Sequence, residues 1–506
     1  MSSRKLLLLT WAMLGIHLLW MLVRYLLAFP VWGDEAFVIN NFPQAGYGDL
    51  VAPLPNGQVG PLLWWWLEKA CYELGQGSIV VLRLPALVAG IVSTWLMLRF
   101  CLKALPQPSA LLAFAIFCAS YYPLRHAVEV KPYAIDLLWA LIQLNLALDL
   151  IRADAHAKRK KAMALVAFSL IGVWMSYPSL FTSAGLALYF FCRAPSRRPA
   201  FAASLLFGGV AAWMVFSYAL PHARAASWLT EMEMWKPAFP PLQHWWALPY
   251  WLIERHCGYM AAYPTGGRDF GSSASFLLMF VGAVGLVRAH QGRFLLLLMS
   301  PLLFNLIAAT FQQYPYGGSI RVSIFLAPAS CLLMGHGVAT ALGKLRPNFA
   351  SGGAVLVVVL LFGFATSGLI RDVQQPYKTD GDVAAAEFAD WMKTMVPPGA
   401  AVAGYCNQKD GAPDFHGLGG SMARLRVQLR QAGVEPDWSA IHAPEPTAAL
   451  WWVVYTDDND STMKSVMPLL QSTHYGQAVW QGYTIDHYEF PFDKAERVDV
   501  YRLTKK

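Results

Sequence analysis

Residues 6–35 read LLLLTWAMLGIHLLWMLVRYLLAFPVWGDE, an apolar run followed at once by two adjacent carboxylates, Asp34 and Glu35. A helix needs about 20 apolar residues to cross the hydrocarbon of a bilayer, and this run supplies them. Ionisable groups so close to hydrocarbon are costly unless they have partners, water or a task. The pair is therefore the first candidate for a reaction centre. A secretory signal is the other reading of the run, but it is long and no small-residue cleavage site follows, which predicts a retained first helix.

The rest of the chain repeats the pattern. Of its 506 residues 56% are hydrophobic and 14% charged, with a mean hydropathy of +0.39. That is too apolar for one soluble domain and fits a polytopic membrane protein. Eleven spans are predicted, at 6–29, 79–100, 108–126, 133–152, 162–177, 180–193, 200–221, 273–290, 293–311, 321–343 and 352–370. The net charge of +8 is compatible with an anionic partner, but Lys and Arg gather in short loops between the apolar runs. Examples are Arg4 and Lys5, Arg99 and Lys103, Lys158 to Lys161, Arg197 and Arg198, Arg288 and Arg293, and Lys344. Every second loop is basic, as on the cytoplasmic side of a membrane, so no nucleic-acid partner is predicted. The alternation requires two crossings between 162 and 193, hinged at Met175-Ser-Tyr-Pro-Ser179. It places the N-terminus in the cytoplasm and the C-terminal region outside, as expected in a bacterial inner membrane.

Two outer segments, 30–78 and 222–272, are rich in Trp and Tyr and are expected to hold helices lying along the membrane surface. Together with the spans they make a membrane domain of residues 1–370. Residues 371–506 change character. Helical periodicity at Val383–Thr394, Met422–Gln431 and Thr462–Gln471 alternates with strands at Ala401–Tyr405, Ala449–Tyr455 and Val498–Leu503, which predicts a small extracytoplasmic α/β domain. The fold class is thus mainly α, a polytopic bundle with a small α/β appendage. Seven cysteines include no Cys-x-x-Cys pair. A disulfide between Cys71 and Cys257 is one way to join the outer segments; Cys406 is also expected outside. His126, His244 and His256 lack ligand spacing, so no zinc site is predicted. No cofactor is predicted, and a divalent cation held by carboxylates remains open.

The outer ends of the spans carry further clusters. They are Leu54-Pro-Asn-Gly-Gln-Val-Gly-Pro-Leu-Leu-Trp-Trp-Trp66, then Arg125-His126 with Glu129-Val-Lys131-Pro-Tyr133, then Tyr314-Pro-Tyr-Gly-Gly-Ser-Ile-Arg321. Glu129 and Lys131 stand two apart before Pro132, which predicts an extended segment with both side chains on one side. Asp136 follows seven residues after Glu129, as a second acid or as a solvated helix end.

In this order and topology the clusters resemble those of the GT-C superfamily of integral-membrane glycosyltransferases. The branch is glycosyltransferase family 39, with its protein mannosyltransferases and lipid A aminoarabinose transferases. The resemblance covers about residues 1–370. It implies transfer of a hexosyl or pentosyl group from a polyprenyl-phosphate donor to a glycan, lipid or protein acceptor outside the cytoplasm, usually with inversion. Asp34 matches the family's catalytic acid, which implies a general base; the alternative is that it caps a helix beginning near Glu35. Glu35 is either its partner or the orienter of a cation.

The departing phosphate calls for fixed cations. The candidates are Arg321 first, then Lys131, Arg125 and Arg268, with Tyr314 and Tyr316 as donors. Snorkelling to headgroups is the alternative for each cation. Glu129, Asp136 and Tyr133 are candidates for an acceptor or second acidic site, Glu129 with a plain surface ion pair as its alternative. The chain departs from the aminoarabinose transferases at Val59-Gly60-Pro61-Leu62, where they carry Lys-Pro-Pro-Leu. Other readings of the whole are a transporter or flippase, kept open by Gln143 and Asn145 in mid-span, and a lipid-diphosphate-dependent polymerase or ligase.

Overall fold

Lipid offers no partners to backbone polar groups, so apolar runs of this length must satisfy their own and fold as helices. The computed structural model describes residues 3–54, 57–193, 197–227, 235–345, 350–406, 420–436, 449–456, 483–493 and 496–505. In chain order its principal helices are α1 (Ser3–Leu26), α2 (Gly33–Ile39), α3 (Leu62–Leu74), α4 (Leu84–Ala104), α5 (Gln107–Ala119), α6 (Tyr121–His126), α7 (Tyr133–Ile151), α8 (Ala155–Met175) and α9 (Ser179–Arg193). They continue with α10 (Arg197–Met214), α11 (Leu248–Cys257), α12 (Ser273–Arg288), α13 (Gly292–Thr310), α14 (Ile320–Ser323), α15 (Ala327–Leu345), α16 (Ala350–Gln374), α17 (Asp380–Met395) and α18 (Gly420–Gln431).

A helix stands at each of the eleven predicted spans. Among the described residues seven are long and apolar enough to cross a membrane, and α5, α9 and α12 are shorter apolar helices. The eleventh is α8, whose first turns carry Lys158 to Lys161. It starts where the Asp154 carboxylate accepts the Ala157 N–H at 2.8 Å, a side-chain N-cap. The break after Met175 is real, with Pro178 between α8 and α9. The chain is a multi-pass membrane protein.

Packing between the helices depends on small residues and buried polar pairs. A Cβ added to Gly282 on α12 would meet the Leu333 carbonyl oxygen at 2.0 Å, and one added to Gly337 on α15 would meet that of Leu278 at 2.0 Å. The two backbones touch, as they do where small residues replace side chains between membrane helices. Gln143 donates to the Ser183 hydroxyl at 2.8 Å and Asn145 to the Leu96 carbonyl at 3.1 Å. These mid-span amides tie α7 to α9 and α4. Arg24 and Asp372, both buried, pair at 2.7 Å between α1 and α16.

Contacts divide the chain into two compact units. One comprises residues 1–27, 46–76 and 80–374; the other comprises 28–45, 77–79 and 375–506. The segment bearing the acidic pair therefore clusters with the C-terminal part of the chain. In that second unit β1 (Ala401–Cys406), β2 (Ala449–Thr456), β3 (Tyr483–Asp493) and β4 (Glu496–Lys505) form one sheet of order β1-β2-β4-β3. β1 runs parallel to β2, with Val402 opposite Trp451, and β4 is antiparallel to both its neighbours. Phe388 and Met392 of α17, Leu425 and Leu429 of α18, and Trp451, Val453, Val498 and Val500 of the sheet share its core.

The expected helices and strands there are present, except that Thr462–Gln471 lies outside the described residues. Strand β3 was not anticipated. Its Pro491 argues against a strand, and it is tolerated because β3 is at the sheet edge. The bridge considered between Cys71 and Cys257 is not formed, since both are free thiols.

Candidate active site

Helix α2 begins at Gly33, with Trp32 as its N-cap. The fully buried Glu35 occupies the third helical position and its carboxylate accepts the Trp32 N–H at 3.5 Å, one arm of a capping box whose other arm an indole cannot supply. The helix-capping alternative thus falls to Glu35. Asp34 sits in the first turn, partly exposed, where the helix N-terminus favours negative charge.

In the membrane unit the predicted basic cluster forms around the turn that follows α6. Residues 127–132 are not extended: they make a series of bends in which the Lys131 N–H bonds to the Glu129 carbonyl at 2.8 Å. The reason is the Glu129 carboxylate, which folds back on α6. It accepts from Arg125 Nε at 3.2 Å and meets His126 Nδ1 at 2.8 Å. Glu129 and Lys131 are both buried, so they are no surface ion pair. The His126 ring meets Tyr133 edge-on at 5.0 Å. The turn carries two basic side chains, Arg125 and Lys131, beside one carboxylate.

Lys131 Nζ donates to Gln58 Oε1 at 3.1 Å. Gln58 belongs to the loop before α3, and that loop is anchored from several sides. The Gly60 carbonyl accepts from the hydroxyls of both Tyr177 and Tyr218, each at 3.0 Å. His222 Nε2 lies 2.9 Å from the Ala52 carbonyl. A Cβ on Gly60 would lie 2.8 Å from Trp65 Nε1 and 3.0 Å from the Trp64 ring, so only glycine fits beneath the aromatic start of α3.

Asp136 is buried in the first turn of α7 and accepts the Ser176 hydroxyl at 2.6 Å, so it does not mark a solvated helix end. Tyr314 lies within the electrostatic reach of Asp136 and Tyr133; burial first and Asp136 second raise its hydroxyl's proton affinity. That hydroxyl donates to the Val322 carbonyl at 3.0 Å. Tyr316 is stacked on Trp251 at 5.5 Å, its hydroxyl 3.3 Å from His256 Nε2. Both tyrosines therefore brace the loop before α14. Arg321 on α14 sets its guanidinium 5.4 Å from the centre of the Trp235 ring. Arg268 stands exposed on a separate turn.

The structure thus gathers Arg125, Glu129, Lys131 and Tyr133, and ties Asp136 to Ser176. The residues that order the loop, Gln58, Tyr177, Tyr218 and His222, were missed. Tyr177 was visible in the hinge at 175–179, but nothing local marked its partner. Among the described residues no group of three or more His, Cys, Asp or Glu side chains is gathered for a metal ion.

No family model and no curated protein sequence matches the chain. Solved structures do match. ArnT from Cupriavidus metallidurans in the apo state aligns with a TM-score of 0.56 at 13% identity, over 95% of this chain and 96% of that one. The same protein bound to undecaprenyl phosphate aligns with a TM-score of 0.53 at 14% identity, over 99% and 98%. At such identity the likeness is one of fold alone.

Proposed function

We propose that the protein is a glycosyltransferase that moves a sugar from a polyprenyl-phosphate carrier to an acceptor hydroxyl at the extracytoplasmic face of a bacterial inner membrane. The observation that carries this reading is the fold likeness to ArnT along nearly the whole of both chains, one of the matched structures holding undecaprenyl phosphate. The cationic turn adds support. A carrier phosphate is an anion, and Arg125 and Lys131 supply charge at a turn whose geometry Glu129 fixes. Where the aminoarabinose transferases have Lys in place of Val59, Lys131 brings an ammonium to the adjacent Gln58.

In this reaction the acceptor oxygen attacks the anomeric carbon and its proton passes to Asp34. The bond from that carbon to the phosphate oxygen breaks, and polyprenyl phosphate leaves as the anion, with inversion. Arg125, Lys131 and Arg321 stabilise the negative charge that grows on the leaving oxygens. Glu35 holds the helix that presents Asp34. Purified protein given a panel of undecaprenyl-phosphate pentoses and hexoses, with membrane glycolipids as acceptors, should release undecaprenyl phosphate in an acceptor-dependent step. Asp34→Asn should lower that rate by about 1,000-fold or more while leaving thermal unfolding and carrier binding unchanged. Near-normal turnover of Asp34→Asn would remove the base assignment, and no release from any donor would remove the transferase reading.

A further inference from the structure

Helix α2 has only seven residues, too few to persist alone, since isolated helices shorter than about 12 residues are marginal in water. What holds it lies in its own unit, at the far end of the sequence. At its C-terminal end the Asn40 side chain donates to the Ala423 carbonyl of α18 at 3.0 Å. α2 also packs along α18, with Ala36, Val38 and Ile39 buried. The next residue of α18, Arg424, donates to the buried Asp382 carboxylate at 2.8 Å and to the Thr379 hydroxyl at 3.2 Å. Thr379 and Asp382 form the capping box that starts α17. One residue before that box, Lys378 places its ammonium 4.0 Å from the centre of the Trp32 ring, at the N-cap of α2.

These contacts close a ring. It runs from the C-cap of α2 through α18 to the N-terminus of α17, and through Lys378 back to the N-cap of α2. From it we infer that the C-terminal α/β domain is a positioning device for Asp34, with Asn40, Arg424, Asp382 and Lys378 as positioning residues. The inference rests on the proposed role of Asp34 as base. A side chain in the first turn moves with its helix, and both ends of this helix are held by residues of the C-terminal domain. Misplacing a reacting group by about 1 Å costs on the order of 100-fold in rate, so loosening the ring should appear in the chemical step.

The test uses the full-length protein in nanodiscs and two readouts. Hydrogen exchange of the amides in residues 35–41 should quicken by roughly tenfold in Lys378→Met and Arg424→Gln, and recover in part in Arg424→Lys, which keeps the charge. Lys378 is half-exposed, so Lys378→Met retains the fold if Arg424→Gln does not. With whichever member of the undecaprenyl-phosphate panel supports release, kcat should fall roughly 10- to 100-fold at an unchanged donor KM. Unchanged exchange in α2 would overturn the inference. So would faster exchange with kcat intact, or a raised KM with kcat intact, which would make the domain a substrate-binding module instead. If Asp34→Asn itself turns over normally, the base reading fails separately, and exchange alone decides whether the ring holds α2.

Discussion

Helix α2 and the turn after α6 each carry charged residues just beyond a span, and each employs one acid in a different way. In α2, Glu35 satisfies backbone at a helix start and its neighbour Asp34 stays partly exposed. After α6, Glu129 is buried against Arg125 and His126, with Lys131 held nearby on Gln58. The first arrangement presents a carboxylate by fixing backbone. The second presents cations by burying a carboxylate among them. Two glutamates thus do unlike work, and what separates them is the environment each meets.

Removing each acid measures that difference. Glu129→Ala leaves Arg125 and His126 without the carboxylate they share, and breaking a buried pair typically costs about 3–5 kcal/mol. Chemical unfolding in detergent should show a loss of that order. The anchored loop beside Lys131 comes next. Gly60→Ala drives a methyl into Trp64 and Trp65, an overpacking of about 1–3 kcal/mol, and should also weaken binding of undecaprenyl phosphate as Gln58 and Lys131 shift. The smallest effect belongs to α2. Glu35→Ala should cost about 0.5–2 kcal/mol as a lost cap, and Glu35→Gln much less, because the Gln carbonyl oxygen can still accept the Trp32 N–H. Equal losses for Glu129→Ala and Glu35→Ala would erase the contrast, and a Glu35→Gln protein as unstable as Glu35→Ala would show that charge is what matters there.

The apolar helices were legible because their signal is local. Length, hydropathy and alternating loop charge locate eleven helices, including the break at Tyr177-Pro178. Hydrophobic alternation likewise exposed β1, β2 and β4. Edge strand β3 hid behind Asp486, Glu489 and Pro491, residues an interior strand would not accept. At the site, residue types were readable and partners were not. Gln58 and Lys131 are 73 residues apart, and Gly60 is 117 from Tyr177 and 158 from Tyr218. No periodicity encodes pairings over such distances. The bent segment at 127–132 was misread for a related reason: the spacing rule for Glu129 and Lys131 weighs Pro132 and ignores the two cations on the preceding helix.

The contact between Asn40 and Ala423 spans 383 positions in the chain. At a synthesis rate of about 5–20 residues per second, roughly 20–80 s pass between the making of α2 and the making of the helix that secures it. During that interval ten further spans are inserted while the nascent acidic helix has no partner. A ribosome that stops before residue 420 therefore leaves α2 without the helix whose backbone its Asn40 side chain bonds.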